Sequence, residues 1–258
     1  MMIMRQRKGN FLKNKWIWIG LVAILLLAFG GFYGWASVAS GPGQTALSAL
    51  QNDPKVSVQV EQNWIAFSPT NAPVETGFIF YPGGKVDYRA YAPLLHQIAA
   101  EGYLIALVKM PLNLAVFGVE GAKDVIAAYP DIHNWVIGGH SLGGSMAASF
   151  AYSHPDLVKG LVLWASYPAT NNNLADHKLS VVSIFGSQDG LATSEKIDTS
   201  RKLLPPSTRW IKIDGGNHGQ FGDYGPQSGD KVAGIPASEQ WRQTIKASVD
   251  LLKSVEQK

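Results

Sequence analysis

Along this chain the apolar positions are arranged in two different ways. Across residues 16–35 every position is apolar or glycine and none is charged. A run of about 20 such residues is long enough to cross the ~30 Å hydrocarbon layer as one helix, and tryptophans at its two ends suit the two interfaces. Beyond residue 55 short apolar runs alternate with segments of helical spacing. Thr76–Tyr81, 103–108, 134–137, Gly160–Trp164, 180–185 and Arg209–Ile213 read as strands. The stretch carrying Tyr91, Leu94, Leu95, Ile98 and Ala99 reads as a helix, as do 119–129, 194–204, 239–255 and the small residues after Ser141. Within 56–67, Val56, Val58 and Val60 alternate with polar neighbours, which fits antiparallel strands. Strands that are apolar throughout and alternate with helices build a mainly parallel sheet covered on both faces. The expected class is α/β, a doubly wound sheet flanked by helices and preceded by one N-terminal transmembrane helix.

Charge turns this pattern into a topology. Arg5, Arg7, Lys8, Lys13 and Lys15 precede the apolar run, and no acidic residue occurs before Asp53. Basic ends stay in the cytoplasm, so residues 1–15 are expected there, 16–36 as an anchor or uncleaved signal, 37–54 as a linker or short helix, and 55–258 as the functional domain. The domain would then stand on the extracytoplasmic side of the cell membrane, held by a single span. Ser37-Val38-Ala39 resembles a small-residue cleavage site, and cleavage near Ala39 would make the protein secreted instead. The net charge is only +3, and the body of the chain carries no basic stripe interleaved with aromatics, which argues against a nucleic-acid partner. The absence of cysteine excludes disulfides, thiolate metal sites and a cysteine nucleophile. Neither a P-loop spacing nor a His-Glu-x-x-His cluster occurs, so no cofactor and no metal are expected. Oligomeric state is left open by the sequence.

The chemistry concentrates at Gly139-His140-Ser141-Leu142-Gly143, between a strand and a helix of small residues. A serine hydroxyl becomes a useful nucleophile only when exposed on a tight turn beside a base. Glycines two residues before and after it remove side chains that would collide where strand and helix close. Gly144 gives further clearance. The following helix points its N-terminus at the reacting carbonyl, with the Leu142 N–H as one oxyanion donor.

On these residues the chain resembles the α/β-hydrolase fold family over roughly residues 60–258, and within it the compact dienelactone-hydrolase-like group. The resemblance implies a serine hydrolase with a Ser-His-Asp triad. The acid loop of the family is matched by Asp189 in Gly186-Ser187-Gln188-Asp189-Gly190, and its histidine loop by His218 in Gly215-Gly216-Asn217-His218. Asp214 is a competing acid, better suited to a turn. Pro82-Gly83-Gly84-Lys85 stands where the family carries a His-Gly-Gly turn, which implies Gly84 as the second oxyanion donor, with Lys85 as the alternative. Dienelactone hydrolases use a cysteine nucleophile, so the serine here does not carry over their substrate. His140 is expected to be structural, and His96, His133, His154 and His177 to lie at the surface or at helix ends.

Only residues 165–179 are available for a lid, which makes a loop and not a cap domain. An open site is expected, lined by Lys85, Val86, Leu142, Tyr167, Phe221 and Tyr224, with Lys85 and Tyr167 as the substrate-binding pair. The expected partner is a small-molecule ester or thioester, cleaved through an acyl-enzyme. An acyltransferase or peptidase would use the same triad, and a catalytically inactive membrane-anchored binding protein would keep the same fold.

Overall fold

The computed structural model describes residues 15–70 and 73–257. Arg5, Arg7, Lys8 and Lys13, which set the expected topology, lie outside them. The chain divides into two compact units after Val38.

The first unit is one helix, α1 (Lys15–Ser37), in which Ile17–Ser37 forms a 21-residue stretch long and apolar enough to cross a membrane. At 1.5 Å per residue that stretch measures roughly 30 Å, the thickness of a hydrocarbon core.

The second unit holds an eight-stranded sheet. Its strands are β1 (Val56–Val60), β2 (Trp64–Pro69), β3 (Thr76–Tyr81), β4 (Leu104–Val108), β5 (Asn134–His140), β6 (Gly160–Trp164), β7 (Ser180–Gly186) and β8 (Arg209–Ile213). They lie in the order β1-β2-β4-β3-β5-β6-β7-β8. β2 runs antiparallel to both neighbours and the remaining pairs are parallel. α2 (Gln44–Ser48) precedes the strands, α3 (Ala92–Ala99), α4 (Gly121–Ala128), α5 (Leu142–Ser153) and α6 (Ser194–Ser200) lie between them, and α7 (Ala237–Glu256) follows the last.

The period-2 alternation of a strand explains why these strands are apolar at nearly every position. Phe78, Phe80, Val136, Val162, Trp164 and Ile184 point to one face, where Leu94, Leu95 and Ile98 of α3 and Leu251, Leu252 and Val255 of α7 cover them. Ile79, Tyr81, Ile137, Leu161, Leu163 and Val181 point to the other, under Val125 of α4 and Ala147, Ala148, Phe150 and Ala151 of α5. The small residues of α5 let that helix lie close against the central strands.

Several boundaries differ from the sequence reading for local reasons. The 134–137 strand runs on to His140, because β5 is paired on both sides and its ladder continues through Gly138 and Gly139. The 194–204 helix stops at Ser200, tightens into a 3-10 turn over Arg201–Leu203 and ends on an extended Leu204. Pro205 follows, and the residue before a proline is driven out of helical geometry. Of residues 37–54, expected as a linker or short helix, the part from Ser40 on carries α2 and is bound into the second unit by the backbone pairing of Ser40 with Lys85 and Asp87.

Candidate active site

Five loops at the C-terminal ends of β3, β5, β6, β7 and β8 converge on Ser141. The turn that presents Ser141 is strained, with φ 52° and ψ −122° in a non-glycine residue. It exists because its neighbours have no side chains. A Cβ on Gly139 would lie 2.5 Å from the Tyr81 carbonyl oxygen, and one on Gly143 would strike the carbonyl oxygens of Tyr81 and Pro82. The Ser166 hydroxyl donates to the Ser141 carbonyl at 2.6 Å and the Ser141 N–H donates to the Trp164 carbonyl at 3.0 Å, so the turn is held from β6.

Asp189 and His218 are brought together. His218 Nδ1 lies 2.9 Å from Asp189 Oδ2, with side-chain exposures of 1% and 0%. Asp189 Oδ1 accepts the Leu191 N–H at 2.8 Å and the Ala192 N–H at 2.7 Å, so both carboxylate oxygens are occupied and one is aimed at the imidazole. His218 Nε2 is buried and makes no hydrogen bond, while the His218 side chain and Ser141 line the same cleft of about 300 Å³. A ring nitrogen without a partner, on a histidine that lines the same cleft as the serine, is what a general base needs before substrate arrives. Asp214, the competing acid, is not in this arrangement.

Asp230 is a residue the sequence reading missed. Its carboxylate accepts the Gly190 N–H at 3.0 Å and the Gly219 N–H at 2.8 Å, tying the loop of Asp189 to the loop of His218. Nothing in the chain marks an aspartate 12 residues past the histidine; only the folded loops bring it there.

The two residues expected to supply oxyanion donors are neighbours. A Cβ on Gly84 would lie 2.9 Å from Leu142 Cδ2. The Leu142 N–H is in the first turn of α5, where backbone donors have no partner inside the helix. The Gly84 N–H also has no hydrogen-bond partner among the described residues. Lys85 is a different case. Its N–H donates to the Asn113 carbonyl at 2.8 Å, which removes it as the alternative donor. Lys85 is also absent from the cleft lining, whereas Tyr167 is part of it.

The remaining wall comes from Leu142, Ser145, Ala165, Ser166, Leu191 and Ala192. Val86, Phe221 and Tyr224, expected there, are buried in the core beneath the site instead. Aromatic residues close to a loop histidine read as lining, but the 3-10 turn at Gly219–Phe221 tucks Phe221 against His140, ring centroids 5.6 Å apart. Residues 165–179 form an irregular loop with no helix or strand.

His140 is structural, as expected. Its Nδ1 lies 2.8 Å from the Tyr91 hydroxyl and its ring is 4.5 Å from that of His218. Burial, and then the positive charge His218 can carry, hold its pKa well below the usual 6.5, so it stays neutral. Burial likewise pushes the Tyr91 phenol far up. His96 lies in the last turn of α3, one of the two expected places, where it is largely buried and its Nδ1 is 2.8 Å from the Ala49 carbonyl. Among the described residues there is no cluster of three or more His, Asp or Glu that could hold a metal.

Comparisons with known proteins fit this geometry. Solved structures similar to the chain include ferulic acid-bound Est1E from Butyrivibrio proteoclasticus, at TM-score 0.58 and 13% identity over 80% of this chain and 98% of that one. A predicted CIB-like hydrolase from Thermoplasma acidophilum gives TM-score 0.57 and 14% identity over 76% and 99% of the two chains. Mouse alpha/beta hydrolase domain-containing protein 10 gives 0.51 and 14% over 77% and 98%. No curated protein matches the sequence at a significant level. The sequence profile described as the alpha/beta hydrolase family matches residues 77–242, well over half of the chain, from β3 into the first turns of α7. The chain belongs to the α/β-hydrolase family, and its eight-stranded sheet with flanking helices is that family's fold.

Proposed function

We propose that the second unit hydrolyses a carboxylic ester or thioester through an acyl-enzyme on Ser141. The observation that carries this reading is the buried Asp189–His218 pair, whose Nε2 has no partner and whose histidine lines one cleft with a strained, glycine-flanked serine. Ser141 Oγ attacks the substrate carbonyl and its proton passes to His218 Nε2. Asp189 holds the ring in the required tautomer and stabilises the imidazolium that forms. The oxyanion receives the N–H groups of Leu142 and Gly84. His218 returns the proton to the departing alcohol or thiol, and water then repeats the sequence on the acyl-enzyme. The irregular 165–179 loop leaves the cleft open to solvent, which favours water over a competing acceptor as second nucleophile. A fluorophosphonate labels Ser141 in the full-length chain and leaves Ser141→Ala unlabelled; a folded wild-type protein that stays unlabelled would end this reading.

We infer that α1 anchors the protein in the cell membrane with the hydrolase unit outside the cytoplasm. The length and composition of α1 and the basic residues before it support this. Carbonate extraction should leave the protein in the membrane pellet with its N-terminal residues intact; a soluble chain beginning near Ser40 would show that the segment is a removed signal.

A further inference from the structure

The turn that carries Gly84 and the loop that carries His218 come from strands far apart in the sheet. Three strands, β5, β6 and β7, lie between β3 and β8. At about 4.8 Å per strand their roots are roughly 19 Å apart, so the sheet alone does not set the spacing of the two loops where they meet over Ser141.

Residues 40–46 bridge them. Ser40 pairs in parallel with Val86: its N–H donates to the Lys85 carbonyl at 2.9 Å and its carbonyl accepts the Asp87 N–H at 2.9 Å. Lys85 is the residue directly after Gly84. Three residues on, the Gly43 N–H donates to the Asp223 carbonyl at 2.7 Å and the Ala46 N–H to Asp223 Oδ2 at 2.8 Å. Asp223 lies five residues beyond His218, and its own N–H donates to the Ala90 carbonyl at 2.8 Å. The fit at Gly43 is tight, because a Cβ there would strike the Asp223 carboxylate.

We propose that residues 40–46 are a positioning strap for the hydrolase site, holding the Gly84 turn and the His218 loop at the spacing that acylation requires. The strap touches no substrate. It acts through the direction of the Gly84 N–H and the seating of the His218 loop, where a misplacement of about 1 Å costs on the order of 100-fold in rate. Cleavage near Ala39 would leave all the bridging residues in place. The proposal rests on the hydrolase reading above and is separable from it by experiment.

Gly43→Ala tests it in the full-length chain. The Gly43 backbone, at φ −74°, suits alanine, so the substitution changes only the space in front of Asp223. The expected result is a fall in kcat of tenfold or more for a p-nitrophenyl ester, KM within twofold, and an equal fall in the rate of fluorophosphonate labelling. Ser40→Pro, which deletes the N–H given to Lys85, should act in the same direction. Asp223→Ala should lose rate while Asp223→Asn, which keeps an acceptor for Ala46, retains at least half. A strap that only stabilised the fold would lower the melting temperature and leave kcat unchanged. Wild-type kcat in both Gly43→Ala and Ser40→Pro, or equal rates for the two Asp223 variants, overturns the proposal. If Gly43→Ala does not fold, the Asp223 pair decides. A wild-type chain that is folded but unlabelled overturns the hydrolase reading instead.

Discussion

The Tyr91 hydroxyl lies 2.8 Å from His140 Nδ1 and at the same time accepts the Gly83 N–H at 3.0 Å. One buried oxygen thus couples the strand that ends at His140, beside Ser141, to the turn that carries Gly84. Tyr91 donates to Nδ1 in the tautomer that leaves this nitrogen unprotonated, and burial keeps the His140 ring neutral.

Tyr91→Phe should therefore damage both stability and rate. It leaves the Gly83 N–H and His140 Nδ1 buried without a partner, a cost of about 1–3 kcal/mol. The melting temperature should fall by about 2–4 °C for each kcal/mol lost. Because the Gly84 turn loses its inner support, kcat should fall by more than KM changes. A variant with wild-type kcat would show that Asn113 and residues 40–46 suffice to hold the turn.

The buried neutral His140 also sets a pH dependence. In the unfolded chain it titrates near 6.5, and in the fold well below that, chiefly through burial. Below pH ~6.5 the unfolded state binds a proton that the native state does not, so stability falls as pH falls, with a slope approaching about 1.4 kcal/mol per pH unit from this group. Above pH ~7 it contributes no slope. Chemical denaturation of wild type and His140→Asn between pH 5.0 and 7.5 should show a steeper acid loss in wild type; parallel curves would mean that the native fold accepts the proton.

Asp189→Asn separates fold from chemistry. Asparagine keeps an oxygen for the Leu191 and Ala192 N–H groups, so the protein should fold with a melting temperature near wild type. On the proposed mechanism it removes the charge that fixes the His218 tautomer, and kcat should fall about 10³–10⁴-fold. Steady-state kinetics with a short ester and a thermal melt make the comparison; wild-type turnover would transfer the acid role to another residue.

Much of this was legible in the chain, and what was not follows a physical pattern. Strands such as Thr76–Tyr81 and Gly160–Trp164 are buried at every position and almost wholly apolar because both faces are covered, and that signal is local. Gly139 and Gly143 were readable because the turn at Ser141 tolerates nothing larger. The order Ser141, Asp189, His218 came from the resemblance to a family, not from spacing. Tyr91, Asp223 and Asp230 carried no functional mark, because each has a partner 49, 177 or 40 residues away in the chain. Val86, Phe221 and Tyr224 were misplaced for the converse reason: an aromatic or apolar residue in a loop looks the same in sequence whether it lines a cleft or plugs the core under it.

Gly84 and Gly143 offer a last contrast, since the added methyl meets different neighbours. In Gly84→Ala it meets Leu142 Cδ2 at 2.9 Å, the far end of a flexible side chain that can swing away. In Gly143→Ala it meets the carbonyl oxygens of Tyr81 and Pro82, main-chain atoms at the end of a central strand that has no room to yield. Gly84→Ala should fold with a nearly unchanged melting temperature and lose about tenfold in kcat. That is less than the 10²–10³-fold that accompanies deletion of an oxyanion donor, because its N–H is displaced and not removed. Gly143→Ala should fail to give a cooperative thermal transition, or should give a protein that fluorophosphonate does not label. Equal behaviour of the two variants would show that the turn at Ser141 is softer than its contacts imply.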